Sequence, residues 1–194
     1  MKKLVFAIVL ITITVIFAFI LTYTNVKNTQ LHYYDGVLLN VGVIGTLPDV
    51  QSHNVLLHQA TLEQIADDNI QYDAFVLTED VFQEASLRTN KEVFASNFHT
   101  PVFFVGLYKP LWVFLEDDYR GTYDDAFSRD YMGHTQGYLM TDAENHQTWI
   151  LGKGLLKDKI NNKEINNIYY NLFKVTENIK NGNVENALDS MSSE

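Results

Sequence analysis

The chain has 194 residues, with 14 lysines and arginines against 24 aspartates and glutamates, a formal net charge of -10. A protein that neutralises phosphates needs a basic stripe, and none is present, so nucleic acid is excluded as a partner. The absence of cysteine removes disulfides, thiol nucleophiles and cysteine-based metal sites together.

Residues 1–21 read MKKLVFAIVLITITVIFAFIL, two lysines followed by an apolar stretch interrupted only by Thr12 and Thr14. At about 1.5 Å per residue, Leu4 to Tyr23 spans about 30 Å, the thickness of a bilayer core. Residues 1–24 are therefore expected to be an N-terminal membrane anchor or uncleaved signal segment. The competing expectation is a cleaved signal peptide, whose apolar region is shorter and ends in a small-x-small site; only Thr22 and Thr24 offer one. Lys2 and Lys3 place the start inside and the domain outside. The expected location is the cell membrane, single-pass, with the globular domain extracytoplasmic.

Residues 25–33 are expected as a spacer, 34–181 as a single extracytoplasmic α/β domain and 182–194 as a flexible tail. Gly36 to Gly45 is an apolar run bounded by glycines, as a central strand requires. Asn54 to His58 is a second strand candidate, and Thr61-Leu-Glu-Gln64 supplies a capping box for a short helix. Tyr72 to Thr78 gives a third strand, followed by a helix over Glu79 to Ala85 with Thr78 as its cap. Thr89-Asn-Lys-Glu92 reads as another capping box before the apolar strand Val102 to Leu107. Leu111 to Leu115 is expected as an edge strand. Tyr138 to Thr141 and Thr148 to Leu151 are expected to form a hairpin across Asp142 to Gln147. A terminal helix over Asn162 to Asn181 carries Ile165, Ile168, Tyr169, Leu172, Thr176 and Ile179 at helical spacing.

Strands separated by short helical patterns point to parallel pairing. The expected fold is α/β: a small three-layer sandwich with a mainly parallel sheet, a hairpin in the C-terminal half and a C-terminal helix, preceded by one transmembrane helix.

Ligands of open parallel sheets gather beyond the carboxyl ends of the strands. That rule selects Thr46, Asp49, His58, Thr78, Glu79 and Lys109 as candidate ligand-binding residues; each also has a plain role as a turn, cap or surface charge. The densest polar stretch, residues 116–130, offers Glu116, Asp117, Asp118, Asp124, Asp125 and Asp130 as candidate metal ligands, although the ordered calcium-loop spacing is missing. Neither a dinucleotide nor a phosphate loop is present, nor a zinc helix or a serine nucleophile elbow, and no cofactor is expected. Trp112, Tyr119, Tyr123, Tyr131, Tyr138 and Trp149 form either an aromatic contact surface or core.

The function expected from these features is a membrane-anchored extracytoplasmic binding or interaction domain. Its partner would be an envelope protein, a wall fragment, a peptide or a small molecule. The alternatives are a membrane-anchored hydrolase dependent on carboxylates or a metal, and a purely structural envelope protein.

Overall fold

Residues 31–67, 69–97, 99–116, 118–128, 133–141 and 145–184 are described by a computed structural model of the protein. The described residues form the strands β1 (Leu39–Ile44), β2 (Val55–Gln59), β3 (Ala74–Thr78), β4 (Val102–Val105), β5 (Thr135–Met140) and β6 (His146–Leu151). Their α-helices are α1 (Phe82–Ala85), α2 (Lys91–Ala95), α3 (Trp112–Leu115) and α4 (Asn162–Lys180), and 3-10 turns include Leu62–Ala66 and Glu79–Val81. The strands form one sheet in the order β2-β1-β3-β4-β5-β6. β2, β1, β3 and β4 pair in parallel, whereas β5 runs antiparallel to both β4 and β6. The described residues cluster as one compact unit.

Successive strand side chains face opposite sides of a sheet, so each buried strand feeds two cores. On one face Phe75, Leu77 and Phe104 meet Phe82 of α1, Phe94 of α2 and Phe114 of α3. On the other, Val41, Val43, Phe103 and Trp149 meet Ile168, Leu172 and Phe173 of α4. Phe103 and Phe104 are neighbours in the chain and enter different cores, each contributing about 1.5–3 kcal/mol by burial. This double burial explains the continuous apolar run VFFV in β4.

Helix α4 starts at a capping box in which Asn161 accepts from the Glu164 backbone N–H and Glu164 accepts from that of Asn161. It buries Ile168, Tyr169, Leu172, Phe173, Val175 and Thr176. The Thr176 hydroxyl bonds back to Leu172 O at 3.0 Å, which satisfies a polar group inside the core.

Three local expectations change. Leu111 to Leu115 contributes helix α3 rather than an edge strand: Pro110 accepts from Val113 N–H, and Glu116 N–H bonds to Trp112 O, closing a helical turn. A five-residue apolar run fits either state, and packing of Val113 and Phe114 beneath α2 decides it. Thr89 caps nothing; α2 starts after Asn90 without a side-chain cap bond. The hairpin strands are longer than expected, reaching back to Thr135 and starting β6 at His146.

The fold class is corrected to a mixed α/β sheet domain with several helices. Among the described residues no helix is long and apolar enough to cross a membrane. The longest, α4, has 19 residues and carries Lys163, Glu164, Lys174, Glu177 and Lys180 along its length. The expected anchor, residues 1–24, lies outside the described residues, as does the tail from 185 onward. The transmembrane helix, the single-pass placement in the cell membrane and the extracytoplasmic assignment are accordingly dropped. So are the membrane-anchored binding and hydrolase roles, the structural envelope role, and the choice of envelope proteins and wall fragments as partners.

Candidate functional site

The parallel order places the chain reversal between β1 and β3, where the carboxyl ends of an open sheet leave a crevice. Asp80 fills it. Its Oδ1 accepts from the Thr78 hydroxyl at 2.6 Å and from the Thr46 backbone N–H at 3.3 Å, and its Oδ2 accepts from the Thr46 hydroxyl at 3.0 Å. Thr78 Oγ also bonds to Ile44 O at 3.3 Å. The Thr78 hydroxyl, followed by the two Thr46 donors, holds the Asp80 carboxyl below its ordinary pKa. Two sequence-selected residues, Thr46 and Thr78, thus meet, but the donors that would receive a ligand are committed to an internal carboxylate. Gly45, at φ 101°, permits this approach, because a Cβ there would collide with Thr78 Oγ.

Glu79 pairs with Lys157 across the same end of the sheet. Lys109 donates to Tyr123 O at 2.6 Å and Asp124 O at 3.4 Å, with its ammonium 4.2 Å from the centre of the Tyr123 ring. Burial pushes the Tyr123 phenol up to about 12, with the Glu79 and Asp124 charges adding to it. His58 projects elsewhere: on edge strand β2 its Nε2 lies 3.4 Å from Asn40 Oδ1, and its ring packs against Tyr72. Asp49 is exposed in the loop after β1.

The acidic stretch divides in the same way. Asp117 and Asp130 lie outside the described residues. Asp125 accepts from the Thr122 N–H and hydroxyl at 2.7 and 2.9 Å, a turn that lowers its pKa. Asp124 N–H bonds to Gln83 Oε1 at 3.1 Å, and the Asp118 and Asp124 side chains are exposed. Among the described residues no three or more histidines, aspartates or glutamates are grouped so as to hold a metal ion.

The sequence reading missed the groove between α3 and the β5–β6 hairpin. It measures about 430 Å³, within the range of small-ligand sites. Trp112, Leu115 and Pro110 wall one side, and Thr148 and Ile150 of β6 the other. Ile150 is 49% exposed although it sits in the sheet. Gln136, itself buried, also lines the groove, its amide donating to Leu107 O at 3.0 Å and Lys109 O at 2.7 Å. Those bonds fix the amide orientation and leave Oε1 as the acceptor that Gln136 offers. Glu116 and His146 complete the polar lining.

Trp112 is held edge-on against Tyr119, ring centres 4.7 Å apart, and also meets Phe127. Of the other expected aromatic surface residues, Tyr123, Tyr138 and Trp149 are buried, and Tyr131 lies outside the described residues. Gln136 is itself buried, beside the equally buried polar Thr135, so its place in the strand gave no local sign of the groove. No known protein family, curated protein or solved structure matches the chain.

Proposed function

We propose that this domain is a recognition module whose groove between α3 and β5–β6 takes an apolar ligand bearing a cationic or hydrogen-bond-donating group. The observation that carries this reading is the pairing of an apolar wall, Trp112, Leu115 and Ile150, with a fixed acceptor at Gln136. Apolar surface supplies the affinity and a few placed polar groups supply orientation. The acceptor Oε1 and the Glu116 carboxylate favour a donor or a cation, and the net charge of -10 disfavours anions. The sheet-end residues Thr46, Thr78 and Asp80 are assigned to holding β1 and β3 in register, since their hydrogen bonds close on one another.

Calorimetric titration with phenethylamine and with phenylpropionate tests the reading, because the two probes share a ring and differ in charge. Saturable binding of the amine, at least about tenfold tighter than the carboxylate, is expected. Trp112→Ala should abolish it, and Glu116→Gln should narrow the preference while leaving the Glu116 carbonyl in place. Binding of neither probe, or equal binding to Trp112→Ala, would defeat the proposal.

A further inference from the structure

We infer that the natural occupant of the groove is an extended, basic peptide that adds antiparallel along the open edge of β6, an inference that rests on the groove reading above. β6 pairs with β5 and lies at the end of the strand order, so its other edge is unpaired within the described sheet. The parity of its backbone follows from the ends of the hairpin. Thr141 N–H donates to Asn145 O at 2.9 Å, and on the far side of β5 Gly106 N–H donates to His134 O at 2.9 Å. In an antiparallel ladder, alternate residues turn their N–H and C=O to the same neighbour. The odd-numbered residues of β6 therefore bond to β5, and His146, Thr148 and Ile150 turn their N–H and C=O outward.

The same three residues carry the side chains of the groove face. They stand opposite Met140, Tyr138 and Gln136 of β5, and Tyr138 and Met140 pack into the core beneath α2 and α3. In antiparallel pairing, the residues of an added strand that bond to His146, Thr148 and Ile150 place their own side chains on this face, beside Trp112 and Leu115. Backbone bonding and groove filling are thus supplied by the same residues of the peptide. This is the chemistry of strand addition, with main-chain bonds giving affinity and pockets for alternate side chains giving specificity.

The β6 sequence, HQTWIL, contains no lysine, proline or glycine, the devices that usually guard an exposed edge. A net charge of -10 on every copy opposes edge pairing between copies and attracts a basic strand.

The test uses the full chain and an acetylated, amidated hexapeptide of alternating leucine and lysine, with two derivatives N-methylated at the leucines or at the lysines. Hydrogen exchange at the His146, Thr148 and Ile150 amides should slow by at least about tenfold when the peptide binds. Methylation at the leucines should abolish binding, and methylation at the lysines should leave it within about twofold, since only the leucine amides face β6. Absence of peptide binding, binding without protection of those amides, or equal binding of both derivatives overturns strand addition. Phenethylamine binding in the same preparation then shows that the groove reading survives, and its failure shows that both fall. Protection that grows with protein concentration without peptide assigns the edge to a second copy and likewise overturns the inference.

Discussion

The Lys91 ammonium, on a residue only 1% exposed, donates to the carbonyl oxygen of Glu116 at 2.8 Å. A second bond reaches Tyr119 O at 2.9 Å, and the ammonium stands 5.3 Å from the centre of the Tyr119 ring. Helix α2 thereby supplies a cation to the C-terminal end of α3, where carbonyls lack intrahelical donors. The wall of the groove that holds Trp112 and Glu116 is anchored from beneath by this side chain together with the buried Val113 and Phe114.

Lys91→Met preserves much of the side-chain volume and removes the donor from two carbonyls. It should destabilise the domain by about 1–3 kcal/mol in urea denaturation and weaken amine binding in the groove. Lys159→Met, at an exposed position, should change stability by less than about 0.5 kcal/mol. Equal stability of the two variants would show that the buried ammonium does not anchor α3.

Gly137 stands between Phe103 of β4 and Trp149 of β6 in the strand register, and those two rings lie 6.1 Å apart, centre to centre. A Cβ at Gly137 would collide with the Phe103 ring. Gly137→Ala should cost about 1–3 kcal/mol through overpacking. Combining it with Phe103→Leu should cost less than the sum of the two single changes, because the smaller side chain vacates the same space. Simple additivity in the denaturation cycle would contradict this packing.

Much of the scaffold was legible because double burial writes itself as continuous apolar runs, as in β1, β3 and β4, and because α4 repeats Ile168, Leu172 and Thr176 at helical spacing. The boundaries of short helices were not. LWVFL before Glu116 fits a strand or a helix, and the deciding contacts come from Lys91 and Phe94, about twenty residues away in the chain. Sheet-end reasoning selected Thr46 and Thr78, which do converge, yet it could not show that Asp80 would take up their hydroxyls. The groove was hidden for a related reason. It depends on β6 being left uncovered on one face by a helix as short as α3, and no local pattern reports what a neighbouring element fails to cover.

His134 enters β5 with its ring edge-on to Tyr108 at 5.5 Å and its Nδ1 2.9 Å from Thr135 Oγ. Burial pulls its pKa from the ordinary 6.5 down to about 4; the Glu79 charge opposes the shift and Lys157 reinforces it. Above about pH 6.5 both folded and unfolded chains carry a neutral imidazole, and the full stability is present. Between about pH 6.5 and 4 the unfolded chain takes up the proton first, so stability falls, by at most about 3 kcal/mol from this residue. Below about pH 4 both states are protonated and His134 adds no further loss. Urea denaturation across this window should give a shallower pH dependence for His134→Gln than for the unaltered protein. Parallel profiles would rule out the burial-driven shift.

Asp80 joins the ends of β1 and β3 through the Thr46 and Thr78 hydroxyls and the Thr46 N–H. Its carboxylate is surface-accessible, so solvent competes for it and each bond is worth less than in a core. Asp80→Ala should cost about 1–2 kcal/mol, and Asp80→Asn about half as much, since the amide retains one acceptor oxygen. The folded-state pKa lies below the unfolded value of 3.8, so this stabilisation is present above that pH and fades as pH falls through the lower, folded value. The cost should therefore shrink as the solution is acidified from neutral pH through that lower, folded value. Coupling to Thr46→Val should be about 0.5–1 kcal/mol in a double-mutant cycle at neutral pH. A cycle with no coupling, or an Asp80→Ala cost that does not change between neutral and acidic solution, would show that this carboxylate does not hold the two strands together.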